Sequence, residues 1–275
     1  MGVPMNDVRV ERDDDTVTLA FGDALIQSRM NTDDPTALDL AYSQVAMAFT
    51  MFVAKPQHIL MLGLGGGSMV RHLLHHFPQS KLTVVELDPN VIALRETFLL
   101  PPDGDRFKVV CGDGAAFIHA SLPFEYDVIV VDAFDEAGQP EVTSTMAFYK
   151  ACRSALKDSG VLLVNLLDAE PLCSRLIGRI WQVFGESVLP LEVECGGNRI
   201  VLAASDAVFR ACATDLRTRW SQLLPVHRDM LDGLPEVLEE ELEPWMPKVR
   251  ATATRSGARH SGQSSGNRGG QRKRR

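Results

Sequence analysis

Short apolar runs and helical periodicities alternate along most of the chain. Residues 58–62 (HILML), 82–87, 106–110, 126–132 (YDVIVVD) and 161–167 are dense in Val, Ile and Leu, as strands buried on both faces are. Between them, apolar positions recur at three- and four-residue intervals over 67–77, 89–98 and 146–156, and a short helix is expected after Gly114. This alternation predicts an α/β fold: a doubly wound, mostly parallel sheet of Rossmann or methyltransferase type, with ligands at the carboxyl ends of the strands.

Both ends of this unit carry additions. Residues 16–21 and 24–30 are strand-like and flank Gly22-Asp23, which predicts a small N-terminal β-hairpin. Leu38, Leu40, Ala41, Val45, Ala48, Phe49 and Phe52 then place a helix over 37–53, ended by Lys55-Pro56. Residues 188–194 and 199–204 flank Cys195-Gly196-Gly197-Asn198 and predict a terminal antiparallel hairpin that closes the sheet, followed by helices over 207–224 and 232–242. The expected organisation is a hairpin and lead-in helix over 1–54, a methyltransferase-like α/β domain over 55–248, and a disordered basic tail over 249–275.

Charge sharpens that last boundary. The net charge is −8, yet residues 249–275 hold eight Lys/Arg and no Asp/Glu, so residues 1–248 carry 20 Lys/Arg against 36 Asp/Glu. Nothing in the acidic body invites nucleic acid, whereas the tail offers charge to an acidic partner or RNA. The cysteines (Cys111, Cys152, Cys173, Cys195, Cys212) are odd in number, widely spaced and without a C-x-x-C pair, which fits a reduced setting. The first residues are acidic where a signal peptide is basic and then apolar, and no apolar run is long enough to span a bilayer. A soluble, cytoplasmic protein with no membrane partner is expected.

The candidate chemistry gathers at the strand ends. Gly63-Leu64-Gly65-Gly66-Gly67 permits positive φ and lets a ligand approach the backbone, with Gly63 and Gly65 the leading positions. Glu86, 23 positions after Gly63, ends the next strand, where a carboxylate can accept both ribose hydroxyls. Asp113, followed by Gly114, ends the third and can contact an adenine amino group; Asp132 ends the fourth. Helix capping is the plainer use of an Asp, but three acidic residues at successive strand ends beside a glycine loop point to a nucleoside site. His72, His75 and His76 have the spacing of a metal face, but no Cys or acidic ligand accompanies them, so they read as a solvated helix edge and no metal is expected. Met47 and Met51 read as core, Cys111 as a small buried hydrophobe, and Phe134 as either core or a substrate wall.

The glycine loop, V-V-E-L-D-P, G-D-G, Y-D-V-I-V-V-D-A-F-D and A-F-Y-K-A-C-R-S-A-L-K-D-S-G-V-L-L-V together resemble the spermidine synthase (polyamine aminopropyltransferase) family, on the fold of S-adenosylmethionine methyltransferases. The resemblance covers about residues 16–205. It implies transfer of an aminopropyl group from decarboxylated S-adenosylmethionine, as co-substrate, to a di- or polyamine, and it is compatible with a homodimer. It implies that Gln27, Glu86 and Asp113-Gly114 contact the cofactor, that Asp132 is the catalytic aspartate, and that Asp135 pairs with the amine. Gly138 and Glu141 fall in the matching gate loop, and Tyr42 matches a substrate-site tyrosine. The chemistry suits the residues: the attacking amine, with a pKa near 10, must lose a proton, and an unperturbed Asp is about six units too acidic to take it, on the order of 8 kcal/mol uphill.

The chain also departs from the pattern. Gly66 stands where the family has an aspartate that pairs with the cofactor's ammonium, Glu136 follows Asp135 in place of proline, Ser43-Gln44 replaces the pair after the tyrosine, and Glu192 or Glu194 stands where a tyrosine is expected. The runner-up readings are therefore a methyltransferase using intact S-adenosylmethionine and a catalytically silent nucleoside-binding protein. A glycine loop with a distant Glu also occurs in NAD-linked dehydrogenases, but no candidate hydride-transfer residues accompany it here.

Overall fold

A computed structural model of the chain describes residues 8–21, 25–134, 139–169, 171–194 and 197–246. The expected turn at Gly22-Asp23 and the basic tail lie outside the described residues. Strands β1 (Val8–Arg12), β2 (Thr16–Phe21) and β3 (Leu25–Asn31) form a separate three-stranded antiparallel sheet, so the expected hairpin gains a third strand. The acidic stretch before Thr16 hid β1, whose alternating burial leaves Arg9, Glu11 and Arg12 exposed. The expected helix over 37–53 is shorter: α1 (Ala41–Ala46) tightens into a 3₁₀ segment over Met47–Met51, entirely buried.

The main sheet follows in regular alternation: β4 (His58–Leu62), α2 (Ser68–His76), β5 (Lys81–Glu86), α3 (Pro89–Ala93), β6 (Phe107–Cys111), α4 (Gly114–Ala120) and β7 (Tyr126–Val131). A 3₁₀ turn over Glu141–Ser144 leads to α5 (Met146–Ala155), β8 (Leu156–Leu167), α6 (Leu172–Phe184), β9 (Val188–Glu192), β10 (Asn198–Ala204), α7 (Asp206–Gln222), α8 (Pro225–Met230) and α9 (Leu234–Glu241). Helix α6 has no counterpart in the sequence expectations. Strand β8 begins at Leu156 rather than 161, because Asp158 and Ser159 are exposed and interrupt the apolar run without ending the strand.

The strand order is β6-β5-β4-β7-β8-β10-β9, parallel from β6 through β8, with β10 antiparallel to both of its neighbours. Side chains alternate between two cores. Ile59 and Met61 join Met69, Val70 and Phe209 on one face, while Leu60 and Leu62 join Ile118, Phe148 and Ile180 on the other. From β4 the chain winds outward to β5 and β6, then returns to place β7 on the other side. The crevice of this switch point therefore lies between the carboxyl ends of β4 and β7. At the opposite, amino-terminal ends of the strands, Asp127 Oδ2 accepts from the Gln57 and His58 N–H groups (2.9 and 2.8 Å) and from Lys157 Nζ (2.7 Å), pinning β4, β7 and β8 together.

Two expectations fail here. Cys111, expected to be buried, is exposed at the end of β6, since that strand lies at the sheet edge. His72, expected at a solvated helix edge, is fully buried: its Nε2 lies 3.0 Å from Nε2 of buried His227, and its Nδ1 lies 2.9 Å from the Thr36 carbonyl. Nδ1 therefore carries the proton of His72, and His227 donates to it. Among the described residues, no group of three or more His, Cys, Asp or Glu is placed to hold a metal ion.

The pair makes stability depend on pH. Burial, and then repulsion from neighbouring histidines, push His72 down to about 4 and His227 to about 3, below the ordinary 6.5. Unfolding lets both bind protons near 6.5, so stability present above that pH is lost as pH falls toward 4. Denaturant midpoints at pH about 7.5 and about 5 should differ markedly, and His227→Phe should shrink the difference. An equally steep pH dependence in that variant would place its origin elsewhere.

Candidate active site

Gly63 sets the geometry of the crevice. It has φ 102°, and a Cβ there would meet the Asp132 carbonyl oxygen at 2.1 Å, so only glycine lets the ends of β4 and β7 approach this closely. The approach is tied by the Asp132 N–H, which donates to the Leu62 carbonyl at 2.9 Å, while on the other side of β4 the Gly63 N–H donates to the Val85 carbonyl of β5, also at 2.9 Å. Gly65, with φ 52°, has only Ser28 Cβ within 4 Å of a would-be Cβ, at 3.9 Å, so the loop has space on that side.

Behind the loop sits buried Arg71. Its Nη1 donates to the carbonyls of Gly66 (2.6 Å) and Phe98 (2.8 Å), its Nε to that of Pro35 (2.6 Å) and its Nη2 to Ser68 Oγ (3.2 Å). All four acceptors are neutral, and burial pulls the guanidinium down to about 10. The bonds hold the loop, the segment after β3 and the turn after α3 as one piece.

Glu86 ends β5 with both carboxylate oxygens engaged. Oε2 accepts from the Leu64 N–H of the loop and Oε1 from the Asp88 N–H, each at 2.8 Å. Burial raises its pKa while these bonds oppose the rise. Each oxygen keeps a further lone pair, as contact with two ribose hydroxyls requires. Asp113 caps α4, its Oδ1 accepting from the Ala115 N–H at 2.8 Å, and the residue is exposed, so the capping use and the proposed adenine contact fall on one side chain.

The Asp132 side chain is met by groups from two elements, β8 and α1. Its Oδ1 accepts from Asn165 Nδ2 on β8 at 2.8 Å, and the Tyr42 hydroxyl from α1 lies near enough to favour its charged form. Tyr42 Oη donates to the Gln27 carbonyl on β3 at 3.2 Å. Burial pushes Asp132 up to about 6 against the opposing pull of Asn165 and Tyr42, and the Glu86 charge adds to the rise. Tyr42 is itself raised well above 10, by burial and then by Asp132.

Gln27, Tyr42, Gly63, Glu86 and Asp132 thus meet around one crevice. Asp135 and Gly138 lie outside the described residues. Glu141 heads the 3₁₀ turn before α5 and is exposed, and Phe134 is half-buried. Glu192 is exposed, 3.4 Å from Arg199, which also binds Asp168 at 3.0 Å. Asn165 and Asn198, whose Nδ2 donates to Asn165 Oδ1 at 3.0 Å, are absent from the sequence-derived site. The available signal was one amide inside the apolar run V-L-L-V-N-L-L.

Comparison with known proteins fits this geometry. A family model described as the spermine/spermidine synthase domain matches residues 39–173. A polyamine aminopropyltransferase of Neisseria meningitidis serogroup A is 34% identical over 235 residues, covering 83% of this chain and 89% of that protein. The chain belongs to the spermine/spermidine synthase family. The fold also matches a probable spermidine synthase from Corynebacterium glutamicum, with TM-score 0.67, 23% identity and 94% of each chain covered. Human methyltransferase-like protein 13, solved with SAH, matches with TM-score 0.53 and 22% identity over 78% of this chain and 95% of that one.

Within that family, the Gly66 departure has a packing cause. A Cβ at Gly66 would meet Ser28 Oγ at 2.8 Å, and Ser28 Cβ and Phe98 Cε1 at 2.9 Å, so Ser28 and Phe98 fill the space that a side chain would take. Gly66→Asp should therefore destabilise the protein by about 1–3 kcal/mol through overpacking, and adding Ser28→Gly should recover part of the loss. Unfolding curves of the two variants check this; an undiminished midpoint in the single variant would show that the loop yields freely.

Proposed function

We propose that this protein is an aminopropyltransferase that moves an aminopropyl group from decarboxylated S-adenosylmethionine to a di- or polyamine, with Asp132 as the catalytic carboxylate. The observation that carries the reading is Asp132 itself, at the switch point, with one oxygen fixed by Asn165 and a pKa pushed up to about 6. Against an amine near 10, that leaves about four units, or roughly 5 kcal/mol, in place of roughly 8 for an ordinary Asp. Desolvation of the amine narrows the gap further, because burial disfavours its charged form.

The residues fit a nucleoside cofactor. Glu86 takes the ribose hydroxyls, Asp113 and Gly114 the adenine edge, and Gly63 and Gly65 leave the backbone open to approach. When bound, the cofactor supplies an electrophilic carbon beside a sulfonium. Gln27 contacts the cofactor as well, Tyr42 lines the amine side together with Asp132, and Asp135 and Glu141 offer further negative charge to a polycation. The acidic body of the protein, with 36 Asp/Glu in the chain, favours encounter with such a substrate.

Purified protein given decarboxylated S-adenosylmethionine should release methylthioadenosine only when an amine is added, and Asp132→Asn should lower that rate by about 100-fold or more. The acid limb of the rate should fall near pH 6, because protonation below that value removes the proton acceptor. Preference for intact S-adenosylmethionine, without amine-dependent release, would favour a methyltransferase instead.

A further inference from the structure

Asn165 sits in β8 between strand neighbours whose side chains are wholly buried, and it is itself only 2% exposed. An amide there costs free energy unless its polar atoms are matched, and an apolar residue would serve the sheet better. Its two bonds run in opposite senses. The Nδ2 group donates to Asp132 Oδ1 at 2.8 Å, while Oδ1 accepts from Asn198 Nδ2 at 3.0 Å. Register explains the second contact: Asn198 and Ile200 pair with Leu167 and Asn165 on adjacent antiparallel strands, which brings the two amides within reach.

Neither carboxamide is symmetrical, and this decides what the pair does. With Asn198 donating into its oxygen, Asn165 has only its NH₂ group to show Asp132. Without Asn198 the amide could turn over and present its oxygen, which would repel a carboxylate and accept from a protonated acid.

We propose that Asn198 and Asn165 form a positioning relay that fixes the orientation of Asp132 and holds it in the ionised, proton-accepting form. This rests on the reading of Asp132 as the catalytic carboxylate, but the relay acts on that side chain whatever the substrate. The other groups facing Asp132 oppose one another: Tyr42, from α1, favours the carboxylate, and Glu86, from β5, disfavours it. Arg199, next to Asn198, is committed to Asp168 and Glu192, so its charge is already countered. The relay is thus a neutral means of keeping a half-buried carboxylate ionised while its second oxygen stays available to an amine.

The test reads Asp132 directly. Carboxyl carbon NMR of aspartate-labelled protein, with the Asp132 signal assigned by its loss in Asp132→Asn, gives its titration midpoint. Asn165→Leu should raise that midpoint by roughly one to two pH units, the worth of one hydrogen bond to a charged group. Asn198→Leu, at the half-buried end of the relay, should raise it by less, and should add nothing when combined with Asn165→Leu. The acid limb of kcat/KM should move with the midpoint. An unchanged midpoint in a folded Asn165→Leu protein overturns the relay, and so does an Asn198→Leu shift that persists in the double variant. If Asn165→Leu does not fold, Asn198→Leu alone decides: a raised midpoint supports the relay and an unchanged one rejects it. Full turnover in Asp132→Asn would defeat the functional reading while leaving the NMR test of the relay intact.

Discussion

The close approach of two strand ends is the constraint on which the site depends. At Gly63 the backbone turns out of β4 with positive φ, directly against the Asp132 carbonyl at the end of β7. Any side chain would force β4 and β7 apart, breaking the bond from Asp132 to Leu62. Because Asp132 follows immediately from β7, its carboxylate inherits a fixed position from the sheet. Glu86 is placed in the same way by β5 and then fastened to the loop through the Leu64 N–H, so both acidic groups are set by strands rather than by mobile loops.

Arg71 supports this from behind. A buried guanidinium with only neutral acceptors is an expensive element, and its cost is offset by the four bonds that join the glycine loop to the segments near Pro35 and Phe98. The same packing brings Phe98 and Ser28 against Gly66. The absence of an aspartate at that position is therefore part of how the small sheet docks on the loop, since Ser28 lies on β3 and its hydroxyl is 2.8 Å from that of Ser68 on α2.

The parts of this arrangement visible in the sequence were those with a local pattern. Strands buried on both faces gave continuous apolar runs, the glycine cluster marked the turn, and Glu86, Asp113 and Asp132 fell at run ends. What escaped had its cause far away in the chain. The pairing of His72 with His227 spans 155 residues, and nothing near either residue announces it. Asn165 and Asn198 are 33 residues apart and become partners only through the register of β8 on β10. Cys111 looked like core because its strand is apolar, but β6 is the edge strand, a property of sheet order alone. Helix α6 has a strong apolar stripe, including Leu176, Ile177, Ile180 and Val183, and was legible in principle from its periodicity.

The two site carboxylates are electrostatically linked, and this bears on how the proposed reaction is poised. Glu86 raises the pKa of Asp132, and burial raises both. The negative charge of Glu86 therefore opposes ionisation of Asp132. A ligand carrying positive charge changes that balance, because a cation between two carboxylates stabilises both ionised forms and lowers both pKa values. Cofactor binding would thus empty Asp132 of its proton and prepare it to hold an ammonium, while also making it a weaker base. Orientation, desolvation and release of the proton toward solvent must then do more of the work than basicity, which is why a carboxylate held by Asn165 and only partly covered by protein suits the task better than one simply buried.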